Sequence, residues 1–223
     1  MNATVAFAPW QSRIHEQVRA ALDSGRLGHA LLFCGPARLG KRAVADALAA
    51  HVLGLDREVR SAQLLAAGTH PDFHAVSFVP TKDGTKLRTE IVIEQIRELS
   101  SKLSLTPQYG SAQVAIVDPA DAVNTAACNA LLKTLEEPQP GRHLWLVAAN
   151  PLRLPATIRS RCQRIEFRLP PREEALAWLR GLGHRDADAV EALDAARGHP
   201  GLAADWIESG GMALRREVAK DLA

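Results

Sequence analysis

Long apolar runs are missing from this 223-residue sequence. None approaches the ~18 residues that a membrane span requires, so no membrane segment is expected. Aromatic residues make up only 4%, with a single tyrosine, which argues against a platform for stacking nucleic-acid bases. Cysteine is scarce: Cys34, Cys128 and Cys162 stand far apart, without a Cys-x-x-Cys pair. That excludes a disulfide framework and predicts a reduced, cytoplasmic protein. Charge of one sign is missing too. Lys and Arg number 27 against 25 Asp and Glu, a net +2, so any contact with nucleic acid has to be argued from local placement. Met1 to Trp10 has neither the basic start nor the apolar core of a secretory signal. Internal repeats and low-complexity segments are absent as well. What remains, 47% hydrophobic and 23% charged residues, is the composition of a globular protein of one large or two modest domains.

What is present centres on Ala30 to Ala43. An apolar run, Ala30 to Cys34, meets a glycine-rich turn that opens into Val44 to Ala50, a stretch of high helix propensity. Gly35, Gly40 and Lys41 fit the G-x-x-x-x-G-K frame of a phosphate-binding loop. Such a loop aims backbone N–H groups and a helix N-terminus at phosphate oxygens, and its lysine adds a point charge. The frame continues with Ser or Thr, whose hydroxyl holds Mg²⁺. Arg42 stands there instead, and a guanidinium has no lone pair to ligate a cation. The residues predict a phosphate-loop fold that does not hydrolyse nucleotide; a strand–helix turn without ligand is the plainer alternative.

Taken in order, Pro9 to Leu27 carries Ile14, Val18 and Leu22 on one helical face, and Gly25 and Gly28 break the pattern. The helix from Lys41 is expected to end near Gly54, Leu55 to Gly68 to form a helical connection, and Gly68 to Asp72 a turn. Phe73 to Val79 alternates as a strand, and Thr81 to Lys86 is a polar loop. A helix from about Thr89 is lined by Ile91, Ile93, Ile96, Leu99, Leu103 and Leu105, and Pro107 ends it. Gln113 to Val117 is a buried strand ending at Asp118, Asn124 to Glu137 a helix, and His143 to Ala149 a further strand. Pro155 to Arg161 reads as a short helix and Arg164 to Phe167 as a last strand. Apolar strands alternating with amphipathic helices predict a parallel sheet covered on both faces. Beyond Leu169-Pro170-Pro171 only helices are visible: Arg172 to Leu182, Asp186 to Arg197, Pro200 to Ile207, and Met212 to Ala223. Trp145 is expected to be buried in its strand, and Trp178 and Trp206 to serve the core of the helical part.

Asp118 ends the strand that accompanies the phosphate loop. A phosphate-loop ATPase places an Asp there to position Mg²⁺, beside an acid that polarises water. Val117-Asp118-Pro119-Ala120-Asp121 offers proline instead of that acid. Asp118 also fits a strand-end turn or helix cap. Two changes, Arg42 and Pro119, thus argue independently against turnover.

Arg26-Leu27-Gly28-His29-Ala30-Leu31-Leu32-Phe33, Asn129-Ala130-Leu131-Leu132-Lys133-Thr134-Leu135-Glu136-Glu137-Pro138 and Ile158-Arg159-Ser160-Arg161-Cys162 resemble the clamp-loader subunits of bacterial DNA polymerase III. Gly68-Thr69-His70-Pro71-Asp72 and the damaged nucleotide site point within that family to its delta prime branch. The resemblance covers nearly the whole chain. It implies an AAA+ module: residues 1–168 an α/β domain with a degenerate phosphate loop, 169–208 a small all-helical lid, and 209–223 the start of a collar helix whose remainder is absent. It also implies that Arg161, in Ser160-Arg161-Cys162, reaches in trans into a neighbouring subunit's ATP site; pairing with a local acid is the alternative reading of that arginine. A planar cation at such a boundary neutralises charge developing on a transferred phosphoryl group.

The partners implied are the ATPase subunits and delta, the sliding clamp, and primer-template DNA reached through the assembly. Asn150 resembles the polar residue that senses the γ-phosphate. Active relatives carry a lid arginine near Gly198-His199-Pro200-Gly201-Leu202, and these five residues include none, while many carry a four-cysteine zinc module where Leu53 to Ala67 has no cysteine. No zinc is expected; His51, His70 and His74 are read as surface or turn residues rather than ligands. No cofactor is required, and a phosphate, sulfate or unhydrolysed nucleotide remains a possible inert ligand unless the loop is collapsed with Lys41 turned inward. Arg88, Arg97, Lys102 and Lys133 suit phosphate contacts or equally a solvated helix face. The function implied is support of clamp loading in replication without intrinsic hydrolysis; the alternatives are an active clamp-loader-type ATPase using Lys41 and Asp118, or a pure scaffold in which Arg161 is structural.

Overall fold

The computed structural model describes residues 7–54, 59–81 and 84–221. The beginning of the expected 55–68 connection, Lys82 and Asp83 of the polar loop, and the last two residues of the final helix lie outside the described residues. Helix α1 spans Pro9–Asp23, β1 Ala30–Cys34, α2 Lys41–Val52, α3 Val59–Ala66 and β2 Phe73–Val76. Then come α4 (Ile93–Leu103), β3 (Gln113–Val117), α5 (Thr125–Glu136), β4 (Arg142–Ala148), α6 (Ala156–Arg159) and β5 (Gln163–Glu166). Four helices close the chain: α7 (Arg172–Gly181), α8 (Asp186–Ala195), α9 (Pro200–Glu208) and α10 (Gly211–Asp221). Among the described residues, no helix is long and apolar enough to cross a membrane.

Two compact units emerge, one drawn from Ile14–Phe167 and the other from Met1–Arg13 and Arg168–Ala223, so the division falls inside α1. The first holds a five-stranded parallel sheet in the order β2-β3-β4-β1-β5. β1, β3 and β4 are central, which is why they read as unbroken apolar runs rather than as alternating strands. Side chains still alternate between the faces. Leu32, Cys34, Ala115, Val117, Leu144 and Leu146 join Ile96, Leu99, Leu131 and Leu135 of α4 and α5 in one buried cluster. Leu31, Phe33, Val114, Ile116 and Trp145 occupy the alternate positions and are fully buried, with Phe33 meeting Trp145 edge-on at 5.8 Å.

In the second unit, Ala175, Leu179, Ala189, Leu193, Ala203 and Met212 form a separate core, with Trp178 and Trp206 partly buried against it. Trp10 meets Trp178 edge-on at 5.2 Å, and Arg13 reaches Glu174 with two hydrogen bonds.

The C-terminal ends of two helices of the first unit meet side chains arriving from elsewhere in the chain. Arg142 donates from Nε to the Leu103 carbonyl (2.8 Å) and from Nη2 to that of Leu105 (2.5 Å), and His29 Nε2 lies 3.1 Å from the Leu135 carbonyl. Leu103 and Leu135 lie in the last turns of α4 and α5, so these bonds satisfy orphan carbonyls there, while Leu105 follows the end of α4.

Several boundaries differ from the sequence expectation, and in β2 and α4 the cause is visible. The strand expected over 73–79 pairs only as far as Val76, because Ser77 turns its carbonyl to Gln95 Nε2 (2.9 Å) and Pro80 bridges antiparallel to Leu87. The helix expected from Thr89 begins at Ile93, because Ile91 bridges to Val123 and donates its N–H to Ala122 O. Leu105 lies beyond the end of α4 and is 60% exposed rather than on the helix's buried stripe.

Candidate functional site

In this strand order, β3, β4 and β1 are neighbours, so their carboxyl ends bring Asp118, Asn150 and the loop after Cys34 to one edge of the sheet. Ligands of open α/β sheets bind at that edge.

The loop is held tightly at its start. Phe167 N–H donates to Cys34 O at 2.7 Å, continuing the β1–β5 pairing. Gly35 has φ +129°, and a Cβ there would stand 2.0 Å from the Phe167 carbonyl oxygen. Gly40, at φ +79°, precedes the first residue of α2. Lys41 is buried, and its ammonium donates to Gly35 O (2.8 Å) and Pro36 O (2.6 Å). Two of its three donors are therefore spent on the loop's own carbonyls. The ammonium is thus turned onto its own loop. Burial pushes its pKa down, opposed by the carboxylates of Asp118 and Asp121.

Arg42 has an active part that its mismatch to the frame does not convey. Its Nε donates to Asp46 Oδ1 at 2.8 Å, and its Nη1 lies 3.6 Å from Asp118 Oδ2. Where a phosphate loop and a strand-end aspartate share Mg²⁺, a guanidinium here stands between helix α2 and that aspartate. Burial raises the Asp118 pKa, while the charges of Arg42 and then Lys41 lower it. The i, i+4 spacing of Arg42 and Asp46 was visible in the sequence; the link to Asp118 was not.

Asn150, the sensor-like residue, and its neighbours are engaged locally. Asp121 Oδ2 accepts the Asn150 N–H at 2.9 Å. Asn150 Oδ1 accepts the Leu152 N–H at 3.2 Å and caps the short 3-10 turn Pro151–Arg153. In the helical unit, His199 Nδ1 accepts the Leu202 N–H at 3.2 Å and caps α9, beside the buried Pro200 and Gly201.

Arg161 lies between α6 and β5. Its Nη1 donates to Thr157 O at 2.9 Å and its Nη2 is 2.6 Å from Glu136 Oε1 of α5. A local acid partner is thus present, and the side chain remains 36% exposed. Ser160 Oγ also donates to Thr157 O, at 3.2 Å. Cys162 beside them is buried, and burial pushes its thiol up to about 11. Cys34 and Cys128 are buried as well. Iodoacetamide at pH 8 is expected to leave all three cysteines unmodified in the folded chain and to label all three in denaturant, read by intact mass.

The Gly68 to Asp72 turn contains a constellation that sequence reading missed. Asp72 is buried, and its carboxylate accepts the N–H groups of Gln108 (2.8 Å) and Tyr109 (2.8 Å). The Asp72 N–H donates to His70 Nδ1 at 3.1 Å, which leaves the ring proton on Nε2, 2.6 Å from Ser61 Oγ. A serine, histidine and aspartate meet here, yet Nε2 donates to the hydroxyl and cannot take its proton. The trio is structural, unlike a nucleophilic relay. His51 pairs with Asp23 at 2.6 Å, and His74 is half-buried with its pKa lowered by burial. Among the described residues, no three His, Cys, Asp or Glu are grouped to hold a metal ion. Of the cations considered for phosphate contacts, Lys102 pairs with Glu98 at 2.7 Å, and Arg97 and Lys133 are exposed.

The family model described as DNA polymerase III, delta subunit, matches residues 10–171. The chain is 37% identical over 216 residues to DNA polymerase III subunit delta' of Pseudomonas aeruginosa, covering 93% of this chain and 63% of that protein. It is 33% identical over 223 residues to subunit delta' of Escherichia coli K12, covering 96% and 65%. The chain therefore spans a little under two thirds of the length of these curated relatives. Among solved structures, a DNA polymerase III gamma-subunit-related protein of Thermotoga maritima matches with a TM-score of 0.54 at 20% identity, over 79% of this chain and 56% of that one, a likeness of fold.

Proposed function

The chain belongs to the DNA polymerase III delta-subunit family and has the AAA+ phosphate-loop fold, and from that premise we propose that it is a non-hydrolysing, delta prime-like subunit of a clamp loader. In this reading its loop keeps the shape of a nucleotide site but does not turn ATP over. Its contribution is architectural, together with Arg161, presented in trans to the ATP site of a neighbouring ATPase subunit. The partners are those ATPase subunits and delta, with the sliding clamp and primed DNA engaged through the assembly. The place of action is the cytoplasm, and no cofactor or zinc is needed.

The observation that carries this reading is the Arg42 guanidinium bridging Asp46 and Asp118. A resident cation with no acceptor lone pairs takes the charge-neutralising place of Mg²⁺ without offering coordination. Lys41, folded onto Gly35 O and Pro36 O, supports it, because a phosphate would have to displace both carbonyls. Pro119, in the place of an acid that would polarise water, points the same way. The test is ATP turnover by the isolated chain. Turnover at background level is expected; turnover clearly above background that Lys41→Ala abolishes would refute the reading. A second reading, a pure scaffold, is favoured by the hydrogen bonds that tie Arg161 to Glu136 and Thr157.

A further inference from the structure

We propose that Glu136 is a clasp for Arg161: it holds the guanidinium in the free chain and yields it to a phosphoryl oxygen of nucleotide bound by the adjacent subunit. The inference rests on the trans reading of Arg161. Nη2 of Arg161 is 2.6 Å from Glu136 Oε1, and Nη1 donates to Thr157 O at 2.9 Å. Both terminal nitrogens are thus engaged, each by a different element. These are the nitrogens with which a guanidinium grips a carboxylate or phosphate side by side. A phosphoryl group taking the same edge meets the Glu136 carboxylate, and two anions on one nitrogen repel. The carboxylate has to leave.

Two features make Glu136 suited to that exchange. It ends α5, where the helix dipole disfavours an acidic side chain, and the Arg161 guanidinium faces it there with Lys133 in the same last turn. The pair is also open to solvent, with 36% of Arg161 and 47% of Glu136 exposed. Ion pairs this exposed shift an equilibrium by at most about five-fold. The clasp is strong enough to set a resting orientation and weak enough for a triphosphate to open it.

The experiment assembles the full-length subunit carrying Glu136→Gln with its ATPase partners, sliding clamp and primed DNA, and measures ATP turnover across ATP concentrations. The amide keeps the shape and removes the competing charge. Turnover at sub-saturating ATP is expected to rise about two- to five-fold, with the saturating rate little changed. A merely structural loss would lower turnover instead. In an Arg161→Ala background, Glu136→Gln is expected to have no further effect. Unchanged or lowered turnover with Glu136→Gln, while Arg161→Ala alone remains impaired, overturns the clasp and leaves the trans role standing. Undiminished turnover with Arg161→Ala overturns the trans role itself, and the clasp with it.

Discussion

If Arg161 acts in trans as proposed, replacing it by alanine in the full-length subunit is expected to slow ATP hydrolysis at the neighbouring site by about 10³-fold, the lower end of what a trans-acting arginine supplies to phosphoryl transfer. The side chain is suited to that loss because it does little for its own chain. It is 36% exposed, and its partners are a surface carboxylate and one carbonyl within α6. Removing it costs the isolated chain at most about 1 kcal/mol, as for other exposed ion pairs. The two effects separate cleanly: the melting temperature of the isolated variant stays near that of the parent, while single-turnover hydrolysis in the assembly collapses at one site. Hydrolysis at the parental rate with the variant incorporated would leave Arg161 a local structural residue.

The second large effect is on stability. Gly35→Ala is expected to destabilise the chain by about 3 kcal/mol, lowering its melting temperature by about 6–12 °C. Two causes act at once. The backbone there has φ +129°, which side-chain-bearing residues rarely adopt, and the added Cβ would stand 2.0 Å from Phe167 O. That carbonyl follows directly on the hydrogen bond from Phe167 N to Cys34 O, so the clash can be relieved only by prising β5 from β1. Thermal unfolding followed by circular dichroism reads the shift. A variant melting within about 2 °C of the parent would mean that the loop does not need its close approach to Phe167.

Gly35 also shows what sequence can and cannot tell about this molecule. A glycine at the end of an apolar run and another before a lysine are enough to place a strand, a turn and a helix, because each residue type acts there through its own backbone. The same holds for β3 and β4, whose apolar runs match strands buried on both sides. Where an element's limits depend on distant partners, local pattern misleads. Ile91 has the spacing of a helical residue, but its N–H and carbonyl are taken by Ala122 and Asn124, so α4 starts later. Leu105 continues the apolar stripe in sequence after the helix has ended.

At the site, residue identity revealed what Arg42 cannot do, since the lack of an acceptor is a property of the side chain alone. What Arg42 does instead depends on Asp118, brought to it from the end of β3 by the sheet. Likewise Glu136 stood in plain view within Leu131 to Pro138, yet its link to Arg161 exists only once α5 and α6 are placed together. The Ser61–His70–Asp72 network joins α3 to the turn before β2, and no local spacing announces it.

The central claim is that a guanidinium holds the place of the metal ion, and binding of labelled ATP to the isolated chain, titrated with and without Mg²⁺, tests it most directly. With Arg42 between Asp46 and Asp118 and Lys41 bound to its own loop, Mg²⁺ is expected to make no difference, and affinity is expected to be weak or immeasurable in both titrations. Tight binding that appears only when Mg²⁺ is added would mean that the cation finds ligands here after all, and would contradict the account.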